Sequence, residues 1–515
     1  MNVVFISIDS LNRHFLDVYG QPIEMDVRTP NIDRFAERAL TFDRHYAGSL
    51  PCMPARREFH AGIQEFLWRP WGPIEPFDQP LARAARQAGA MTQLVTDHYH
   101  FFQHGAHGYY EDFNGFDFIR GHESDAWKTM PRQPDPNFLR QLVRTAEDAA
   151  DIATYMSRVQ YARNVAGFDR ENERDFFPAK VFTSAEEWLR HNAAEHDKWL
   201  LVLDSFDVHE PFHVPEPYAS MYTDEDPTDP DLVIWPVYGR TDEGRSRLTE
   251  RQIAFARSQF AGKVTMVDTW LGKVLDELDR QHLWHDTMVI ISTDHGHYLG
   301  DHGWMGKPDC PFYNTLAHTP LLIAHPDNPR PGGRTSALTS AVDLYATMLD
   351  ALDAEIPDFV HSRSLMPVIR GEREGHRDWA IYGYWGSSVN VTDGEYTYFQ
   401  PCDPDRPAEA FSTMMLQMDP WDWFQPPRSH PDATAGRFLP YTDSIVWRYS
   451  KRPVVRHEQP MLFNVTDDPG QERDLAGSGD PNEVRMRELL VTALAEMQAP
   501  QSQFERLGLA PARSD

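Results

Sequence analysis

Cysteine is scarce in this chain: Cys52, Cys310 and Cys402 are the three among 515 residues. So few and so scattered, they cannot form a disulfide framework, and a reducing compartment fits them. Long apolar runs are missing too, none approaching the roughly 18 residues that a membrane-spanning helix needs. Met1 leads at once into Val3-Val4-Phe5-Ile6-Ser7-Ile8, with no basic region and no long apolar core of a leader. The expectation is a soluble, cytoplasmic protein. Basic charge is short as well: 49 Lys and Arg against 78 Asp and Glu leave a net charge of −29, which argues against nucleic acid and anionic membrane as partners. No internal repeat is evident, and the 40 prolines punctuate long loops rather than forming a low-complexity tract.

What is present is a globular composition, 41% hydrophobic and 12% aromatic, sufficient for one large domain and a smaller one. In so acidic a chain an anionic substrate must be held by local positive charge, from a metal and a few Lys, Arg and His side chains. The stretch from Ser49 to Gly62 concentrates the means: a thiol (Cys52), a backbone stiffener (Pro54) and two cations (Arg56, Arg57), just before an amphipathic run that can open a helix. Proline fixes the path, a helix N-terminus offers unpaired N–H groups, and Arg56 supplies a bidentate fork for sulfate or phosphate oxygens. The plainer alternative makes Cys52 a small buried hydrophobe. A thiolate phosphatase loop is excluded, because Glu58 stands where its arginine would be.

Further pieces come in chain order. Val3 to Ile8 reads as a strand buried on both faces and ends in Asp9, a candidate metal ligand or the cap of the next turn. Thr29 and Pro30 open a helix, Leu40 to Phe42 is a short strand, and Pro80 to Ala88 has helical spacing. Met91 to Thr96 is a strand that runs into Asp97, His98, Tyr99 and His100; the two histidines suit proton transfer or anion contact, and equally a structural role. Residues from Gly105 to Lys180 read as polar, aromatic and irregular, with Trp127 to Asn164 expected to shape a substrate pocket. Trp68 and Trp71, near the Cys52 stretch, hint at an aryl or sugar group, although core packing is the commoner use.

Trp199 to Leu203 is another buried strand, followed by His209, which Asp207 is expected to orient. Thr249 and Gln252 form a capping box ahead of a helix with Ile253, Phe260, Val264, Val267, Leu271, Val274 and Leu278 on one stripe. Met288 to Lys307 is a strand ending in Asp294 and His295, then a glycine-punctuated loop to a lysine, which is what an anion-plus-metal site requires. Leu321 to Ile323 is a strand and Asp343 to Leu352 a helix. After about Pro367 come short strands (Ala380–Tyr382, Ser388–Asn390, Tyr396–Phe399) and a last helix, Pro481 to Met497.

Cys52-Met-Pro-Ala-Arg56 resembles the Cys-x-Pro-x-Arg signature of type I sulfatases and their relatives the phosphonate monoester hydrolases, in the alkaline phosphatase superfamily. Thr29-Pro-Asn-Ile-Asp33, Gly115-Phe-Asp117, His209-Glu-Pro211, the run from Asp294 through Gly300-Asp-His-Gly303 to Gly306-Lys307, and Met461 to Glu472 are similar to further segments of that family. The resemblance implies an α/β fold: a large mixed, mostly parallel sheet sandwiched by helices, alkaline-phosphatase-like, over residues 1–370, and a smaller C-terminal α+β subdomain over 371–515 with a small antiparallel sheet and a terminal helix.

For chemistry it implies a metal-dependent sulfate ester hydrolase whose nucleophile is a formylglycine made from Cys52 by a maturation enzyme. Asp9, Cys52, Asp294 and His295 would bind one divalent ion, and Arg56 would orient the formylglycine hydrate. Lys307 and His209 would neutralise the transferred group and protonate the leaving alcohol. His98 would contact substrate, and His98 or His100 would deprotonate the second hydroxyl. Ser10 stands where the family usually has a second aspartate, and His295 replaces asparagine. Histidine tilts the metal from calcium toward manganese and the pattern toward phosphonate monoester hydrolases, so phosphonate and phosphodiester substrates stay open. A remote alternative is a silent anion- or metal-binding protein with unconverted Cys52. Self-association is left open.

Overall fold

The computed structural model describes residues 1–20, 25–103, 106–129, 134–143, 152–307, 310–414 and 430–510. Its frame is an eight-stranded sheet in the order Arg334–Ser340, Leu40–Tyr46, Leu321–Ala324, Thr287–Ser292, Asn2–Ile8, Trp199–Ser205, Met91–Thr96 and Gly115–Phe118. Leu321–Ala324 runs antiparallel to both its neighbours and every other pairing is parallel, so the sheet is mixed and mostly parallel.

The almost continuous apolar character of Val3–Ile8, broken by Ser7, follows from its place in the middle, covered on both faces. Val4, Ile6 and Ile8 enter one core with Phe260, Val264, Val267, Leu271 and Val274 of the long helix Glu250–Arg280. Val3 and Phe5 point the other way, toward Met53 and Phe59 of the helix Cys52–Ala61 and Leu344 and Met348 of the helix Asp343–Ala351. Each such side chain, fully buried, contributes roughly 1.5–3 kcal/mol, which is how two layers of helices are held on one sheet. The capping box of Thr249 and Gln252 is present at the start of the long helix.

Register decides what gathers at the sheet's edge. Ser7 lies opposite both Asp204 and Ser292, and Thr96 lies opposite Asp204. The carboxyl ends of four adjacent strands are therefore flush, and Asp9, Asp204, Asp294 and His98 emerge on the same side, where open α/β sheets bind ligands.

A second sheet, in the order Met461–Asn464, Tyr396–Gln400, Val389–Thr392, Ala380–Tyr384 and Ser49–Leu50, carries the helix Pro481–Glu496 on one face. Its last strand comes from the other end of the chain: Ser49 and Leu50 pair in parallel with Gly383 and Tyr384. The approach to Cys52 is thus anchored by the C-terminal part. Three further strands, Ala408–Ser412, Val446–Lys451 and Thr434–Gly436, form a sheet of their own.

The segment expected to be irregular contains the helices Pro136–Leu142 and Ile152–Asn164 and the first turn of Phe177–Asn192. Parts of the pocket expected over Trp127 to Asn164, residues 130–133 and 144–151, lie outside the described residues. Trp68 is wholly buried in the C-terminal core, stacked on His361, and Trp71 packs edge-on against His100.

Glu58, on the helix that begins at Cys52, is fully buried and accepts from the Ser49 backbone N–H. Burial pushes its carboxyl from 4.5 up to about 8. Because the folded value lies above the unfolded one, this group's contribution to stability is intact at low pH and is lost as pH rises through about 8. Glu58→Gln should therefore gain stability relative to the parent as pH is raised from 5 to 9, read as the difference in denaturation midpoints; a pH-independent difference would show the carboxyl to be ionised throughout.

Candidate active site

Cys52 is the first residue of its helix, so Arg56 lies one turn on, on the same face. The helix points this face at the sheet's edge. Arg56 is wholly buried there, and its guanidinium meets three carboxylates: Nε and Nη2 reach the two oxygens of Asp204 at 2.8 Å each, Nη2 lies 2.9 Å from Asp9 Oδ2, and Nη1 donates to Asp294 Oδ2 at 2.6 Å. Nη1 also lies 3.3 Å from the Cys52 carbonyl oxygen. This corrects the expectation of a fork open to sulfate or phosphate: the planar donors are spent on carboxylates, because three buried carboxylates cannot be left without a counter-charge.

Asp9, Cys52, Asp294 and His295 each offer a ligand atom within 4.8 Å of the others. Metal–oxygen and metal–nitrogen bonds of roughly 2.0–2.6 Å allow that spread. Two details show that the set fits a cation. Asp9 Oδ2 is buried and makes no hydrogen bond, although Arg56 is beside it. His295 Nδ1 lies 2.8 Å from the Gly296 carbonyl oxygen, which only accepts, so Nδ1 carries the proton and the Nε2 lone pair faces Asp294 Oδ2 and Cys52 Sγ at 3.3 Å each. A lone pair aimed at a carboxylate is repulsive unless a cation lies between them. Gly296 is required by close approach: a Cβ there would sit 1.9 Å from the Thr315 carbonyl oxygen and 2.4 Å from Asn12 Oδ1.

The electrostatics agree. Burial pushes the Asp9 carboxyl up, but Arg56, His98 and Lys307 hold it well below the usual carboxylate range. Burial, with Asp9 alongside, pushes the Cys52 thiol well above its ordinary value, and burial lowers His295. Burial also opposes the charge on Lys307, yet Cys52, Glu210, Asp9 and Asp294 raise it, so the ammonium is retained. Lys307 Nζ bonds Ser10 Oγ at 3.1 Å, and Ser10 Oγ donates to Asp9 Oδ1 at 2.7 Å. Ser10 thus links the lysine to the metal group instead of adding a carboxylate to it.

The two histidines after Met91–Thr96 part company. His98 Nε2 lies 3.5 Å from Asp9 Oδ2, and neither ring nitrogen has a hydrogen-bond partner. His100 is turned away, with Nδ1 at 2.7 Å from Gln103 Oε1 and Nε2 at 3.3 Å from Glu123 Oε2. His98, not His100, is the one at the metal group. A cavity of about 430 Å³ opens beyond His100, lined in part by Tyr99, Gln103 and Ser124.

His209 stacks on Phe206 and sets Nδ1 at 2.7 Å from the Glu210 carbonyl oxygen, so its Nε2 is the unprotonated nitrogen. Burial lowers its pKa to about 4. Asp207 does not orient that ring, contrary to expectation: its carboxylate pairs with Lys263, from the long helix, and lies 3.1 Å from His122 Nε2. Lys263 in turn donates to the His209 carbonyl oxygen at 2.7 Å, so Asp207 holds the backbone of this segment.

Four site residues went unread in the sequence: Asp204, Glu210, Tyr238 and His297. Asp204 closes a buried strand just as Asp9 and Asp294 follow theirs, and that shared position was its signal. Glu210 accepts from Tyr238 Oη and lies 2.9 Å from His297 Nε2, long-range partners that no local pattern announces.

The sequence model of the Sulfatase family matches residues 1–354. A multifunctional alkaline phosphatase superfamily protein, PehA of Trinickia caryophylli, is 24% identical over 428 residues, covering 72% of this chain and 77% of its own. Choline-sulfatase of Rhizobium meliloti is 23% identical over 433 residues, 79% of each chain. Among solved structures, the phosphonate monoester hydrolase of Agrobacterium radiobacter superposes with a TM-score of 0.64 at 20% identity, over 97% of this chain and 95% of that one. The phosphonate monoester hydrolase of Silicibacter pomeroyi gives 0.62 at 22% identity, over 98% and 96%. These likenesses share the mixed sheet and its flanking helices, and the family match spans all the residues gathered at the sheet's edge: the chain belongs to the sulfatase family, within the alkaline phosphatase superfamily.

Proposed function

We propose that the protein hydrolyses sulfate monoesters with a formylglycine at position 52 and one divalent ion held by Asp9, Asp294, His295 and that residue. The observation that carries this reading is the convergence of those four ligand positions, with Arg56 clamped behind them and Lys307 linked in through Ser10. The raised pKa of Cys52 supports it from another side, since a neutral, buried thiol is a poor nucleophile as it stands. When bound, the ion supplies positive charge opposite the transferred group and favours the deprotonated nucleophile.

The chain's own residues do the rest. Arg56 fixes the Asp9 and Asp294 carboxylates so that their free lone pairs converge. Lys307, kept charged, faces the negative charge of the transferred group. His98, neutral because burial lowers it well below its usual range, is placed to take a proton from the second hydroxyl at position 52. His209 presents a lone pair, not an N–H, at neutral pH; it can protonate a leaving alcohol only after an anionic ester beside it has raised its proton affinity.

Charge selects the substrate. Four carboxylates (Asp9, Asp204, Asp294, Glu210) gather round two cations, Arg56 and Lys307, and a divalent ion would bring the two further positive charges. The Lys263–Asp207 pair cancels internally. Every positive charge at the site is then already matched by a carboxylate, so an ester with one negative charge is met at less cost than one with two. Sulfate monoesters qualify, and so do phosphonate monoesters and phosphodiesters. The imidazole of His295 and the hydroxyl of Ser10 favour this second pair of substrates.

Intact mass should show position 52 lighter by the difference between CH2SH and CHO, and Cys52→Ala should abolish turnover; full activity in that variant overturns the formylglycine proposal. Chelation should remove activity, with manganese restoring it better than calcium, and Asp294→Asn should weaken the rise in melting temperature that the metal gives. At pH 8 nitrophenyl sulfate or a nitrophenyl phosphodiester should exceed nitrophenyl phosphate in kcat/KM by at least about tenfold, a difference of about 1.4 kcal/mol.

A further inference from the structure

Glu210 is a buried carboxylate that the reaction does not use, yet it sits against His209 and in the field of Lys307, which the reaction does use. Its Oε2 lies 3.4 Å from His209 Nδ1 and 2.9 Å from His297 Nε2, and its Oε1 accepts from Tyr238 Oη. Burial would push this carboxyl up, but His209, Lys307 and His297 hold it well below its ordinary value. It is among the charges that keep Lys307 protonated.

Its anchoring is independent of substrate. His297 Nδ1 is 2.8 Å from the Tyr298 carbonyl oxygen, and the His297 backbone is bonded on both sides to the Asn12 amide. Tyr238 packs against Gly306, where a Cβ would fall 2.3 Å from Tyr238 Cδ1, immediately before Lys307. The carboxylate is therefore fixed where the transferred group's charge must also be met, and it cannot swing aside when an anion arrives.

We infer that Glu210 is a specificity-determining residue: a fixed negative charge facing His209, His297 and Lys307 that limits the site to singly charged esters and rejects dianionic phosphate monoesters. The inference rests on the ester-hydrolase reading for its biological sense. The physical claim stands on charge and geometry. One carboxylate removed from a dry site raises its net charge by one, and a second negative charge on the ligand then has a counter-charge to meet.

The test uses metal-loaded, full-length protein and two inert analogues of nearly the same shape, benzenesulfonate with one negative charge and phenylphosphonate with two at pH 8.5. Calorimetry on Glu210→Gln should show the Kd ratio shifted toward phenylphosphonate by at least about tenfold (about 1.4 kcal/mol) relative to the parent. Glu210→Asp, which keeps the charge, should leave the ratio where it was, and so should Tyr238→Phe, which removes a hydrogen bond without charge. In turnover, Glu210→Gln should raise nitrophenyl phosphate over nitrophenyl sulfate in kcat/KM. Equal weakening of both analogues, or equal loss on both esters, would make Glu210 merely structural and overturn the inference. A parent protein that binds the monoanion preferentially but hydrolyses neither ester would overturn the hydrolase reading and leave the selectivity intact. If Glu210→Gln does not fold, Glu210→Ser, which also removes the charge, decides in its place, and no shift there overturns the inference.

Discussion

The constraint on which the site depends is the need to bury several carboxylates at one point. Asp9, Asp204 and Asp294 are wholly or almost wholly shielded from water, and ionised carboxylates in that position are tolerable only with counter-charges in good geometry. Arg56 provides one, since its planar donors match three partners at once. A guanidinium surrounded in this way has no freedom left, and the carboxylates it touches have none either. The rigidity of the metal group is thus a by-product of charge neutralisation, and it reaches the backbone through the bond from Arg56 to the Cys52 carbonyl oxygen.

Around that clamp the fold acts as an alignment device. Parallel strands in flush register bring the residues following Ile8, Leu203, Ser292 and Thr96 to one edge without any of them being near in sequence. The helix Cys52–Ala61 then delivers the fifth element from the apolar face of Val3 and Phe5. Core packing and the candidate site share the same strands: alternate residues hold the helices on, and the residues past the strand ends line the site.

Much of this was legible beforehand. Unbroken apolar runs such as Val3 to Ile8 and Met288 to Ile291 mark central parallel strands, and a carboxylate just beyond each run marks the ligand edge. The end of the first strand and the Cys52 and Asp294 motifs named the four side chains, Asp9, Cys52, Asp294 and His295, that the fold brings within reach of one another. Other features had no local signal. That Arg56 faces inward depends on Asp204, 148 residues away. That His98 faces Asp9 while His100 pairs with Glu123 follows from a short 3-10 turn at Tyr99–Phe102, which hydrophobic periodicity does not report. The tautomers of His209 and His295 are set by backbone carbonyls one residue on, invisible until the loop is closed.

The pairing of Ser49 and Leu50 with Gly383 and Tyr384 has a temporal side. In the finished protein Cys52 is 2% exposed, behind a strand whose partner is synthesised more than 300 residues later. A ribosome adding about 5–20 residues each second leaves Ser49 and Leu50 without that partner for tens of seconds. During that interval the segment leading to Cys52 has not yet gained the strand that anchors it.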